Sequence, residues 1–244
     1  MSRKRLPRFF VAHDAIAGER AVLTGEERHH ARVCRLRPGA RVELFDDCGR
    51  EYDALVNTAT AELIELTVTE RVPAPRESGL ALTLAVALLK ADKLDLVIEK
   101  ATELGVAEVV VFRCERTLGG SGSSRRERWQ RIALSAAKQC GRSAVPRIYG
   151  PESLEALARR PADLRLVCWE QASAAAGFPG GGCPASVLIA VGPEGGFTTD
   201  EVTRLQAAGF SSVSLGPRML RAETAAITAA ALAQARWGDL GGRA

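Results

Sequence analysis

The pattern of apolar and polar positions changes near residue 75. Before that point the apolar runs are short and strand-like, at Arg8–Val11, Arg41–Phe45, Glu51–Val56 and Glu62–Val68. The segment Asp46-Asp47-Cys48-Gly49 supplies turn chemistry for a hairpin between the second and third runs. Thr24 followed by Glu27 predicts a capping box that opens one helix, reaching to about Arg35. The stretch from Val72 to Gly79 has two prolines, a glycine and no periodicity, which marks a domain boundary and predicts units of 1–72 and 80–244.

Beyond that boundary the pattern alternates between fully apolar runs and amphipathic ones. Leu80–Leu89 predicts a buried strand, and Asp92–Leu104 a helix with Asp92 as N-cap, Leu94, Val97, Ile98, Ala101 and Leu104 on one face, and Gly105 as its stop. Val109–Phe112, Leu164–Trp169, Val187–Val191 and Val213–Leu215 read as further strands, and Arg125–Cys140 as a helix. Thr198 with Glu201 predicts a capping box for a helix stopped by Gly209, and an Ala-rich helix runs from about Ala222 to Trp237. Repeated strand–helix units with strands apolar throughout predict an α/β fold built on a parallel sheet. Ligands of such sheets sit at the loops beyond the strands' carboxyl ends, so the residues after Val191 and Leu215 are the first place to look for chemistry.

Composition narrows the possibilities. The 244 residues are 46% hydrophobic and 25% charged, ordinary for a globular chain long enough for one or two cores. The net charge of +4 is unevenly placed: Met1–Arg37 holds nine Lys/Arg against four acids, so that segment is +5 and the rest is −1. A basic beginning on a near-neutral body predicts an anionic partner. Arg28, Arg32 and Arg35 fall at helical spacing and predict one guanidinium-bearing face, with Arg3, Lys4, Arg5 and Arg8 nearby. The six cysteines form no CxxC pair and read as reduced thiols, and no metal-ligand cluster is evident. His13 and Asp14 interrupt the apolar stretch after the basic start, and Leu80–Leu89 is too short to span a bilayer, so no secretory leader or membrane span is expected and the cytoplasm is the natural compartment.

The two ligand loops are Gly192-Pro193-Glu194-Gly195-Gly196-Phe197 and Gly216-Pro217-Arg218-Met219-Leu220-Arg221-Ala222-Glu223-Thr224-Ala225. Neither is a phosphate-cradling motif, which disfavours nucleoside triphosphates and dinucleotides. Taken in order, they resemble the signature motifs of the SPOUT superfamily of RNA methyltransferases, and most closely the family that methylates N3 of a uridine in 16S ribosomal RNA. Lys93, Glu99–Gly105, Glu115-Arg116-Thr117 and Gln139–Arg142 match further motifs of that family, as do Arg8-Phe9-Phe10, His29-His30 and Val33-Cys34-Arg35 in its RNA-binding region. Glu99, Cys34 and Ala222 stand where the family usually has Gln, Leu and Thr.

The resemblance implies a PUA-like β-barrel followed by a SPOUT domain whose C-terminal part is threaded into a trefoil knot. It implies S-adenosylmethionine bound by Gly192, Glu194, Gly195, Gly196, Leu215, Gly216, Leu220 and Arg221, with Trp169 and Glu170 beside the adenine, and a homodimer. RNA contacts would come from Arg8, His29, Arg32, Arg35, Lys93 and Arg142, and the substrate would be ribosomal RNA or the small ribosomal subunit, with no metal and no membrane. His29 and His30 fit either RNA contact or packing of the first helix, and Arg218 reads as surface charge. Arg221 is the candidate stabiliser of charge on the uracil oxygens, with Glu223 orienting it as an ion-pair partner. The proton acceptor stays open among Glu194, a water and the RNA. Alternatives are a ribose 2′-O-methyltransferase and a non-enzymatic RNA-binding assembly factor.

Overall fold

The computed structural model describes residues 6–46, 49–72, 77–117, 125–173 and 176–241. The chain divides into two units, Met1–Glu77 with Ala137–Val145, and Ser78–Ala136 with Pro146–Ala244. The boundary at Glu77 falls inside the proline-containing stretch. The return of Ala137–Val145 to the first unit is what a single linear boundary could not express.

The first unit holds β1 (Arg8–Phe10), β2 (Ile16–Ala17), β3 (Arg20–Leu23), α1 (Gly25–Val33), β4 (Arg41–Phe45), β5 (Glu51–Ala59) and β6 (Ile64–Val72). Its six-stranded sheet has the order β1-β4-β5-β6-β3-β2, with β1 parallel to β4 and the other pairs antiparallel. Phe9, Leu23, Val42, Leu44, Val56, Ile64 and Leu66 form its core with Ala31 of α1. The β4–β5 connection is organised by buried Asp46, whose carboxylate accepts from Arg50 N at 2.8 Å and from the Tyr52 hydroxyl at 3.0 Å. Asp47 and Cys48 of the expected turn lie outside the described residues, as do Arg3, Lys4 and Arg5.

Two local expectations fail here. Thr24 is the N-cap of α1 but makes no side-chain capping bond, and the reciprocal half of the box is lost because the Glu27 carboxylate is engaged elsewhere: it accepts from Phe10 N at 3.2 Å and pairs with Lys138. The helix also ends at Val33, and Arg35 follows it at φ 53, so the three arginines do not share one helical face.

The second unit contains β7 (Ala81–Ala87), α2 (Ala91–Glu103), β8 (Glu108–Arg113), β9 (Arg147–Ser153), α4 (Leu154–Ala158), β10 (Leu164–Cys168), β11 (Ser186–Val191), α5 (Thr199–Ala207), β12 (Ser211–Val213) and α6 (Ala222–Trp237). Between β8 and β9 the chain forms α3 (Arg125–Cys140), whose last residues belong to the first unit. The sheet is parallel throughout, in the order β12-β10-β11-β7-β8-β9. Ala85, Val110, Phe112, Val167 and Ala190 pack with Leu154 and Leu157 of α4 and Val202 and Leu205 of α5. Leu82, Leu84 and Val86 point the other way by strand alternation and are also buried, while α6 lies along β7 and β11 with α2 against it. Burial on both faces explains why these strands read as continuous apolar runs.

The Thr198–Glu201 capping box is present, with Thr198 Oγ1 accepting from Glu201 N at 3.3 Å and Glu201 Oε2 accepting from Thr198 N at 2.9 Å. Asp92 is not the N-cap: that position is Lys90, two residues earlier, and Asp92 lies in the first turn, where its carboxylate interacts favourably with the helix dipole.

Candidate cofactor cleft and RNA-facing residues

Strands β10, β11 and β12 are neighbours, so the loops leaving their carboxyl ends converge. Together they enclose a cleft of about 580 Å³. Trp169 and Glu170 enter it after β10, Gly192, Glu194, Gly195 and Gly196 after β11, and Leu215, Gly216 and Leu220 after β12. Arg221, the remaining residue expected to touch the cofactor, is not among the lining residues. It is the exposed N-cap of α6.

Left-handed backbone favours glycine at two positions of these loops. Gly196 sits at φ +69, and a Cβ there would lie 2.6 Å from Glu170 Oε1. Gly216 has φ +110, a conformation in which an L side chain is strained. The β11 loop is braced from outside the cleft as well. Arg116 donates to the Gly195 carbonyl at 2.8 Å, and buried Glu201 accepts both Thr198 N and Glu115 N, the latter at 2.7 Å. Phe197 anchors the same loop below by stacking on Phe112, with ring centres 6.0 Å apart. Arg116 and Glu201 appear in the sequence only as parts of motifs; their bracing role needs two segments more than 70 residues apart to meet.

The cleft's polar groups are incompletely used. The indole N–H of Trp169 is buried and has no hydrogen-bond partner among the described residues. Cys168 is buried at the floor, and desolvation pushes its thiol up from 9.0 to about 12, so it is an uncharged wall and not a nucleophile. Lys93, in the first turn of α2, stands 3.5 Å from Glu194 Oε1 and 3.5 Å from Glu223 Oε2. The expected Arg221–Glu223 ion pair is therefore replaced: the cation facing Glu223 is Lys93. Arg221 forms no ion pair among the described residues, because its position at the helix start directs it outward. Lys93, expected as an RNA contact, is drawn into this carboxylate cluster.

In the first unit the structure separates the expected RNA contacts into two groups. His29, Arg32 and Arg35 are exposed, while His30 packs on Phe9 with ring centres 5.1 Å apart. Arg8 and Arg142, also expected as RNA contacts, are 8% and 6% exposed and are engaged within the unit. Arg8 pairs with Glu51, donates to the Arg142 carbonyl at 2.6 Å and lies over the Phe45 ring. Arg142 pairs with Glu77 at 2.8 Å. Both guanidiniums hold the unit together. Arg28 is committed too, donating to the Glu62 carbonyl at 3.0 Å.

Among the described residues no group of three or more His, Cys, Asp or Glu side chains could hold a metal ion, and no helix is long and apolar enough to cross a membrane.

Comparison with known proteins agrees with this arrangement. Residues 76–234 match the family model of an RNA methyltransferase domain, and residues 23–69 that of an RNA methyltransferase PUA domain. The chain is 35% identical to ribosomal RNA small subunit methyltransferase E of Synechocystis sp., over 92% of this chain and 76% of that one. It is 33% identical to the Bacillus subtilis protein of the same name, over 85% and 86%. The crystal structure of a ribosomal RNA small subunit methyltransferase E from Neisseria gonorrhoeae, bound to S-adenosyl methionine, superposes with a TM-score of 0.89 at 31% identity, covering 97% of this chain and 100% of that one. With a matching domain over most of its length and these relatives along nearly all of it, the chain belongs to the RNA methyltransferase family whose members include ribosomal RNA small subunit methyltransferase E.

Proposed function

We propose that this protein transfers a methyl group from S-adenosylmethionine to N3 of a uridine in the RNA of the small ribosomal subunit. The observation that carries the reading is the meeting of three loops in one cleft with an orphaned buried indole N–H and a glycine-lined wall. The fit to the cofactor is chemical. Leu215 and Leu220 offer apolar surface for an adenine face, the Trp169 N–H lacks among the described residues an acceptor that a nucleoside supplies, and glycine at 196 permits the left-handed turn of the loop beside Glu170. When bound, the cofactor supplies a methyl group already activated on a sulfonium, so the chain's own task is to orient the base and manage its proton. Trp169, Glu170, Gly192, Glu194, Gly195, Gly196, Leu215, Gly216 and Leu220 hold the cofactor in this proposal.

RNA reaches the cleft past Arg221, which is exposed, without an ion pair among the described residues, and one residue before Ala222 of the cleft wall; it is free to meet the negative charge of the substrate. Arg32, Arg35 and His29 of the first unit add exposed contacts to the backbone, which set position without reading sequence. We place the active protein in the cytoplasm as a homodimer; exposed Leu232 on α6 is a candidate for the dimer interface. The relatives' names concern ribosomal RNA, and nothing in the cleft favours a ribose oxygen as acceptor. The test is nucleoside mass mapping of small-subunit RNA incubated with protein and cofactor. N3-methyluridine at one position supports the proposal, and a 2′-O-methylated nucleoside or no product refutes it.

A further inference from the structure

The cluster of Lys93, Glu194 and Glu223 is underfilled for its depth. Glu223 Oε2 is buried without a hydrogen-bond partner among the described residues. Its nearest cation, the Lys93 ammonium, is 3.5 Å away and equally far from Glu194 Oε1, and it makes no hydrogen bond to either. The buried Glu223 oxygen and the Lys93 ammonium thus face each other at 3.5 Å without a hydrogen bond, and Lys93 is 24% exposed, which leaves its donors open to a ligand. The cluster adjoins the cleft: Glu194 lines it, as do Ala222 and Ala225 of the helix that carries Glu223, while Lys93 and Glu223 are not themselves among its lining residues.

We propose that Lys93 and Glu223 read the imide edge of the target uracil, Glu223 accepting the N3 proton, and thereby select uridine over cytidine. The inference rests on the uridine-N3 reading above and extends it to the residues that recognise the base. Uracil presents C=O, N3–H and C=O in succession. A carboxylate oxygen accepts from N3–H while an adjacent ammonium donates to a flanking carbonyl. Cytosine reverses both groups, offering an unprotonated N3 to the carboxylate and an amino group to the ammonium. A buried site built for one such pattern rejects the other strongly, because its polar groups are then left unpaired.

Charge balance supports Glu223 as the acceptor. Lys93 from α2 serves two carboxylates, Glu223 of α6 and Glu194 of the β11 loop, so the cluster carries one negative charge in excess of its cation. As the N3–H bond breaks, its proton passes to Glu223 Oε2. The N3 electron pair forms the bond to the donor methyl carbon, and the carbon–sulfur bond breaks with its electrons left on sulfur. The carboxylate is neutralised as the sulfonium is, and the uracil stays neutral. Lys93 meanwhile stabilises the charge that builds on the ring oxygen during proton departure.

The experiment compares wild type, Glu223→Gln and Lys93→Met on small-subunit RNA whose target position is uridine, cytidine or 5-fluorouridine, the last having a more acidic N3–H. Cofactor affinity is measured by calorimetry, RNA affinity by filter binding, and product by nucleoside mass spectrometry. Glu223→Gln should bind cofactor and RNA as wild type does but lose about 10²- to 10⁴-fold in turnover at neutral pH. Raising the pH, or substituting 5-fluorouridine, should restore much of that loss, since the base then releases its proton unaided. Lys93→Met should narrow the affinity gap between uridine and cytidine targets. Wild-type turnover in Glu223→Gln overturns the proposal, and so does a loss that neither high pH nor the acidic base repairs, which would make Glu223 a structural partner of Lys93. An unchanged uridine preference in Lys93→Met removes the recognition role. A wild-type product other than N3-methyluridine, seen before any variant is made, is the separate signature that the underlying reading has failed.

Discussion

Buried charge is used in opposite ways in the first unit and around the cleft of the second. In the first unit Arg8, Glu51, Glu77 and Arg142 are paired among themselves and with backbone, and Ser143 completes the set by donating to Glu51 at 2.6 Å and, through its N–H, to Glu77 at 2.8 Å. At and beside the cleft, Trp169 Nε1 and Glu223 Oε2 have no hydrogen-bond partner among the described residues, and Lys93 stands 3.5 Å from each of two carboxylates. The residue types are similar, but in the first arrangement each guanidinium meets a carboxylate at hydrogen-bonding distance, whereas in the second the cation stays short of both. Close pairing of buried charge serves the fold, and loosely held charge beside a cleft is available to a ligand.

Breaking the closely paired side should give the largest effect. Glu51→Ala removes the carboxylate hydrogen-bonded to the buried Arg8 guanidinium and leaves it Glu43, 3.6 Å from Nε, and the expected cost is about 3 kcal/mol of stability, read by urea denaturation. A loss below about 1 kcal/mol would mean that the pair behaves as a surface salt bridge, and the contrast between the two regions would collapse.

Exposed charge should behave differently again. Removing Arg32 and Arg35 together is expected to change stability by no more than about 0.5 kcal/mol each while weakening RNA binding. The slope of log affinity against log salt should flatten by roughly 0.7–0.9 for each phosphate that the variant no longer neutralises. RNA affinity and salt slope both unchanged in that double variant would identify these arginines as plain solvated surface.

On the unfilled side, Trp169→Phe removes the orphaned N–H while keeping most of the apolar wall. Cofactor affinity should fall by about 1 kcal/mol, roughly five- to tenfold in Kd, with no loss of stability because no internal bond is broken. Calorimetry and thermal unfolding on the same samples would expose the alternative, in which stability drops and affinity does not.

The smallest effect concerns Cys168. Its thiol is raised from 9.0 to about 12 by burial, so above pH 9 the unfolded chain releases a proton that the folded chain keeps. Stability from this source is complete below about pH 9 and declines as pH rises toward 12. Cys168→Ala should therefore flatten the alkaline limb of a stability-against-pH curve and leave the neutral region's slope unchanged.

Legibility followed the range of the interactions. The strands around Leu84, Val110 and Ile189 were readable because each is buried on both faces and so apolar along its whole length. Strand β9 was missed: Arg147–Ser153 carries Gly150 and Pro151, which read as breakers, and among its residues only Ile148 is fully buried. The five-residue α4 and the short β2 and β3 have too few turns or alternations to show a period. The Thr198–Glu201 box was readable because both partners lie within one turn. The equally good pattern at Thr24 failed because Phe10 N and Lys138 claim Glu27 from distant positions.

The sequence by itself determined the parallel sheet, the change of architecture near residue 75 and the two glycine loops that mark the cleft, because period, turn chemistry and motif order are properties of neighbouring residues. Only the tertiary structure decided which charges are available. Nothing in the order of residues distinguishes Arg8, buried against Glu51, from Arg32, open to solvent, or shows that Glu223 faces Lys93 instead of Arg221 two positions away. Availability depends on desolvation and on partners 40 to 130 residues distant, and those are settled when the chain packs.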